Sequence, residues 1–225
     1  MKTLASLAVL SSVTISGLSL ADQDFGPPLN IPGTPGQDAE PPSLATSGKN
    51  VFVLWHQFAP GETQPDVYLA RSTDRGKTFA ARVNLSNTGP FESSGERIAT
   101  SGNRVYVVWS ENADEIVFSR STNNGGSFAT PVALANAAEA VEPALLASGD
   151  DVYVAWTATG PSGDTDIFFA ESDDRGQTFS DEVNISNNAG RSEHPTLALS
   201  GDHVIVAWRD GSLGAGFQIT VARGE

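Results

Sequence analysis

The chain has 225 residues, 13 basic against 27 acidic, for a formal net charge of −14. That length suits one large all-β domain or two small ones, and the acidity excludes nucleic acid or an anionic membrane surface as partner, because both need a basic face. With 22 Gly, 13 Pro and no Cys, the composition favours a turn-rich β protein and excludes a disulfide framework, a thiolate metal site and a cysteine nucleophile.

The chain opens on Met1-Lys2, followed by an uncharged, apolar-to-small stretch from Leu4 to Leu20. Ser19-Leu20-Ala21 places small residues at the −3 and −1 positions of a cut before Asp22. This is the layout of a secretory signal peptide over 1–21, so a secreted or periplasmic protein is expected, with residues 22–225 as a single domain. No later run is long and apolar enough to span a membrane, so no span is expected in the mature protein.

Four copies of one unit follow. Ser-Gly pairs at Ser47, Ser101, Ser148 and Ser200 each precede a β-branched and aromatic run that ends in tryptophan: Trp55, Trp109, Trp156 and Trp208. A short apolar segment carrying Leu44, Ile98, Leu145 or Leu197 lies before each pair, and a third run follows each tryptophan after a loop of variable length. A fourth run occurs in three copies, around Val83, Val132 and Val183. Each copy reads as four short strands bounded by turn residues. A period near fifty residues with four strands per unit predicts an all-β β-propeller of four four-stranded blades. The last copy stops after its third strand, while Phe25 to Ile31 aligns with Phe79 to Leu85. The N-terminal strand is therefore expected to complete the last blade and close the ring. A fragment of a longer array and two chains sharing a larger ring stay open as alternatives.

Between the third and fourth strands lies a recurring octet: Ser72-Thr73-Asp74-Arg75-Gly76-Lys77-Thr78-Phe79, Ser121-Thr122-Asn123-Asn124-Gly125-Gly126-Ser127-Phe128 and Ser172-Asp173-Asp174-Arg175-Gly176-Gln177-Thr178-Phe179. It resembles the Asp-box, or BNR repeat, of sialidase-like β-propellers. Physically it is a hairpin turn: Asp or Asn bonds back to backbone N–H groups, Gly takes a positive φ, and Phe plugs the space between strands. Ser72, Asp74, Gly76, Phe79, Ser121, Asn123, Gly125, Phe128, Ser172, Asp174, Gly176 and Phe179 are thus expected to be structural. The resemblance also implies that these boxes lie opposite the ligand face.

Residues that recur in one column serve packing, so polar residues found once in loops are better ligand contacts. Those are His56, Arg97, Glu111, Arg191, His194, Arg209 and Asp210, expected at the mouth where loops converge. Asp66, Glu115 and Asp166 share a column before the third strand, and strand-edge polarity is the reading for them. The resemblance implies an arginine clamp for a substrate carboxylate, for which Arg97, Arg191 and Arg209 are the available residues. It also implies a tyrosine nucleophile. Tyr68, Tyr106 and Tyr153 share columns with Val, Ile and Phe, so they read as packing residues and sialidase catalysis does not carry over. His56, His194 and His203 have no metal-ligand spacing, so no cofactor is expected; Ca²⁺ held by loop oxygens stays open without a motif. The expected function is a carbohydrate- or protein-binding module whose glycan or protein ligand sits on the open loop face. A glycoside hydrolase using a pair among the plentiful open-face carboxylates, such as Glu111, Asp114, Glu139, Glu142, Glu193 and Asp210, and an envelope or assembly scaffold are the alternatives. Oligomeric state is left open.

Overall fold

A computed structural model describes residues 26–31, 33, 37–89, 91–212, 214 and 216–224. The expected signal peptide, together with Asp22 to Phe25, lies outside them. The chain divides into two units, Met1–Asn30 and Ile31–Glu225. In the first, Gly26 to Asn30 is exposed and has no regular secondary structure.

No helix occurs among the described residues, and none is therefore long and apolar enough to cross a membrane. The strands form antiparallel sheets in chain order. The first holds β1 (Ser43–Ser47), β2 (Asn50–Phe58), β3 (Pro65–Ser72) and β4 (Val83–Asn84). The second holds β5 (Ser93–Ser101), β6 (Arg104–Glu111), β7 (Glu115–Ser121) and β8 (Val132–Asn136). The third holds β9 (Val141–Ser148), β10 (Asp151–Thr159), β11 (Thr165–Ser172) and β12 (Val183–Asn184). The fourth holds β13 (Ser192–Ser200), β14 (His203–Asp210) and β15 (Gln218–Arg223). The repeat thus folds as the sequence periodicity predicts in three sheets. The fourth has three strands among the described residues, and the expected N-terminal strand is not one of them.

A strand buries alternate residues, so a sheet with two apolar faces needs a cover on each. The sheets provide this for one another. Phe52, Leu54, Val67 and Leu69 of the first pack with Val105, Val107, Trp109 and Val117 of the second. Val108 and Ile116, on the second sheet's other face, pack with Val154 and Trp156 of the third. Ala155 and Ile167 then meet Val206 and Trp208 of the fourth. From the second sheet onward, each tryptophan seats on the sheet before it. The innermost strands follow suit: β5 packs on β1, β9 on β5 and β13 on β9, but no comparable packing joins β13 to β1. On the last sheet Ile219 is 76% and Val221 60% exposed.

The octets fasten these seams. Ser72 Oγ donates to Asp74 Oδ1 (2.7 Å) and accepts from Gly76 N–H (2.9 Å), while Asp74 accepts from Thr78 N–H (2.9 Å) and Thr78 Oγ (2.6 Å). The Ser172–Thr178 turn repeats these bonds. In the middle copy Asn123 Nδ2 donates to Ser127 Oγ. The bonds from Thr78 hold the Asp74 carboxyl well below the ordinary carboxylate range, and those from Thr178 do the same for Asp174. Glycine is required by close approach: a methyl group at Gly125 would lie 2.7 Å from the Phe52 ring, and one at Gly176 would lie 2.8 Å from Phe118. Each of these two turns therefore rests on an aromatic ring of the preceding sheet.

Two polar networks close the strand ends. Asp66 accepts from Asn84 Nδ2 (2.7 Å) and Ser86 Oγ (2.9 Å), and Asp166 accepts from Asn184 Nδ2 (2.7 Å) and Ser186 Oγ (2.7 Å). These carboxylates are buried anchors for the outermost strands rather than strand-edge polarity. Trp109 is fully buried at the seam of two sheets. Replacing it by Ala should cost about 3–5 kcal/mol, read as a lower urea midpoint at an unchanged m-value.

Candidate functional site

The mouth is built by a repeated irregularity. In β5 the register slips between Ser94 and Arg97, in β13 between Glu193 and Thr196, and β9 slips opposite Trp156. Each slip sets two residues against one tryptophan, a β-bulge that bends the inner strand and redirects its side chains. The first bulged residue takes a left-handed conformation: Gly95 (φ 68°), Glu142 (φ 55°) and His194 (φ 55°). Glycine fits this without strain; Glu and His do not.

Glu142 and His194 meet. Glu142 Oε1 lies 2.7 Å from His194 Nδ1, and its Oε2 accepts from His194 N–H (2.9 Å) and Thr157 Oγ (3.1 Å). Beside them the Glu193 carboxylate is bracketed by Arg191 and by Arg209, the latter at 3.7 Å. Arg209 in turn lies over the Phe217 ring, 3.5 Å from its centroid. Glu139, Glu142, Thr157, Arg191, Glu193 and His194 line a cleft of about 420 Å³. It carries both signs of charge and hydroxyl groups, which suits a polar ligand with several hydrogen-bonding groups.

Of the residues nominated from sequence, Arg191 and His194 line this cleft, and Arg209 reaches it through Glu193. The other four stand elsewhere. Glu111 is buried and accepts from Trp109 Nε1 (2.8 Å) and Ser93 Oγ (2.8 Å). Asp210 is buried and accepts from Ser212 N–H (2.8 Å), Thr220 Oγ (3.1 Å) and Trp208 Nε1 (3.4 Å). Both cap a tryptophan two residues back, as Gln57 does for Trp55 at 3.1 Å. Arg97 is exposed and donates to the Glu96 carbonyl (2.9 Å). His56 Nδ1 pairs at 2.8 Å with Glu96, which is almost wholly buried, and so ties β2 to β5. Glu142 and Glu193 were named only among the many carboxylates of the hydrolase alternative, and Glu96 was not nominated at all. The available signal was the Glu-Pro and His-Pro pairs, Glu142-Pro143 and His194-Pro195, in one column of the repeat.

Among the described residues no group of three or more His, Asp or Glu side chains is placed to hold a metal ion.

No family model matches the chain, and no curated protein matches it. Solved structures do. The Penicillium chrysogenum α-L-arabinanase complexed with arabinobiose aligns over 83% of this chain and 62% of its own, at 14% identity and TM-score 0.64. The Trypanosoma rangeli sialidase in complex with sialic acid aligns over 83% and 36%, at 14% identity and TM-score 0.58. A Hadza microbial sialidase aligns over 81% and 43%, again at 14% identity, with TM-score 0.57. The fold is that of a β-propeller. This propeller chain spans between about a third and two thirds of the length of these structures.

The His56–Glu96 pair makes stability depend on pH. Burial pulls the His56 pKa down, but the hydrogen bond and charge of Glu96, with the charges of Glu40 and Glu92, outweigh it, and the net shift is upward from 6.5. A raised folded pKa means a stabilising contribution that is complete below the unfolded value and lost as pH rises through the folded one. The difference in thermal midpoint between the wild type and His56→Gln should therefore be larger near pH ~6 than near pH ~9, as scanning calorimetry at the two pH values would show.

Proposed function

We propose that this chain is an exported carbohydrate-binding propeller whose ligand seats in the cleft between the third and fourth sheets. One observation carries this reading: Glu142, His194, Thr157, Arg191 and Glu193 converge on that cleft, with several of them cross-linked into fixed positions. Fixed donors and acceptors pointing into one concavity suit a polyhydroxylated molecule, whose hydroxyl groups both give and take hydrogen bonds. Two of the similar structures carry a sugar in the same fold. Export rests on the leader layout of Met1 to Ala21.

Titration calorimetry against a panel of neutral and acidic mono- and disaccharides tests the proposal. A member of the panel should bind, and Arg191→Ala should weaken it about tenfold or more, the usual effect of removing a charged hydrogen bond. No binding anywhere on the panel would contradict it. A second reading, hydrolysis of a glycoside, is favoured by Glu142 and Glu193 lining one cleft, since glycosidases commonly work with two carboxylates. Turnover of aryl glycosides that disappears in Glu193→Gln would establish it; no turnover would remove it.

We propose that Phe25 to Ile31 supplies the fourth strand of the last sheet. Ile31 packs against the cluster of Trp55, Tyr68 and Ala70 in the first sheet, much as Leu85 packs at the Trp109 seam and Ile185 at the Trp208 seam. Deleting residues 22–32 should leave a bare strand edge and produce aggregation on size-exclusion chromatography. A monomeric deletion as stable as the parent would contradict closure.

A further inference from the structure

The bulge column poses a question that folding alone does not answer. The second sheet fills it with Gly95, at φ 68°. The third and fourth sheets hold the same left-handed backbone with Glu142 and His194. Side chains in that region are strained, and strain of this kind persists where the position serves a contact. Both side chains are also partly open to solvent, His194 57% and Glu142 32% exposed. They are therefore not filling a core.

Their mutual geometry is directional. Thr157 Oγ and His194 N–H both bond to Glu142 Oε2, which fixes the carboxylate. Its Oε1 then meets His194 Nδ1 at 2.7 Å. A carboxylate only accepts, so in the neutral imidazole the proton sits on Nδ1 and Nε2 keeps its lone pair. Among the described residues no hydrogen bond reaches that Nε2. Glu139, Arg191 and Glu193 line the same cleft and supply the other charges around the ring.

We infer that Glu142 and His194 form a ligand-contacting pair, in which Glu142 positions the imidazole and His194 Nε2 accepts a hydrogen bond from a ligand hydroxyl. The inference rests on the carbohydrate reading for the class of ligand. The state of the pair stands on its own geometry.

The test uses the full chain and has three readouts. Long-range ¹H–¹⁵N spectra at alkaline pH should show His194 as the Nδ1–H tautomer, moving toward Nε2–H in Glu142→Ala. An Nε2–H tautomer in the wild type, or one indifferent to Glu142→Ala, overturns the pair. Glu142→Gly and His194→Gly should leave the thermal midpoint within about 2–4 °C of wild type or above it, since each relieves a strained φ. A fall of more than about 10 °C in either, well beyond that range, would make the pair a latch between sheets and overturn its ligand role. Any sugar that binds the wild type should lose about tenfold or more of its affinity in His194→Gly. Unchanged affinity overturns the ligand role alone, whereas a wild type that binds no sugar overturns the carbohydrate reading.

Discussion

The seating of each tryptophan on the sheet before it is the interaction on which the rest depends. A single four-stranded sheet of this composition has two apolar faces and cannot cover either by itself. Trp109, Trp156 and Trp208 close three successive seams, each facing an apolar surface of its neighbour. Burial of large aromatic surface is the largest favourable term available to a chain without disulfides. The Gly125 and Gly176 turns then bring the octets onto Phe52 and Phe118, so packing and turn chemistry act at the same seams.

The same constraint places the mouth. Each bulge sits opposite a tryptophan, which cannot move without opening a seam. The left-handed residues at 95, 142 and 194 are thereby held at one level around the inner strands. Glycine there is neutral, whereas Glu142 and His194 turn the position into chemistry. The cleft is thus a consequence of how neighbouring sheets pack rather than a feature of a free loop. Such rigidity keeps hydrogen-bonding groups in register for a ligand.

Much of this was legible in the sequence. The four tryptophans in one column and the Ser-Gly turns mark the strands because packing and turn geometry demand fixed residue types. The octet was legible for the same reason. Singularity was a weaker guide. Glu111 and Asp210 look unique, yet both perform the task of Gln57, accepting the indole N–H of the tryptophan two residues earlier. One structural duty is met by three residue types, so the column hides its repetition. Glu142 and Glu193 could not be told from the chain's other carboxylates for the opposite reason: in an acidic chain a carboxylate carries no signal until the bulge shows where it points. Among the described residues the fourth sheet has three strands, and periodicity says what repeats, not whether the circle closes.

Native-state hydrogen exchange tests the packing account most directly. The second and third sheets are covered on both faces by their neighbours. Amides of β6 and β10 should therefore exchange only through global unfolding, with the full denaturant dependence. Exchange of β6 and β10 by local opening, with little denaturant dependence, would mean that the sheets do not depend on one another, and the account would be wrong.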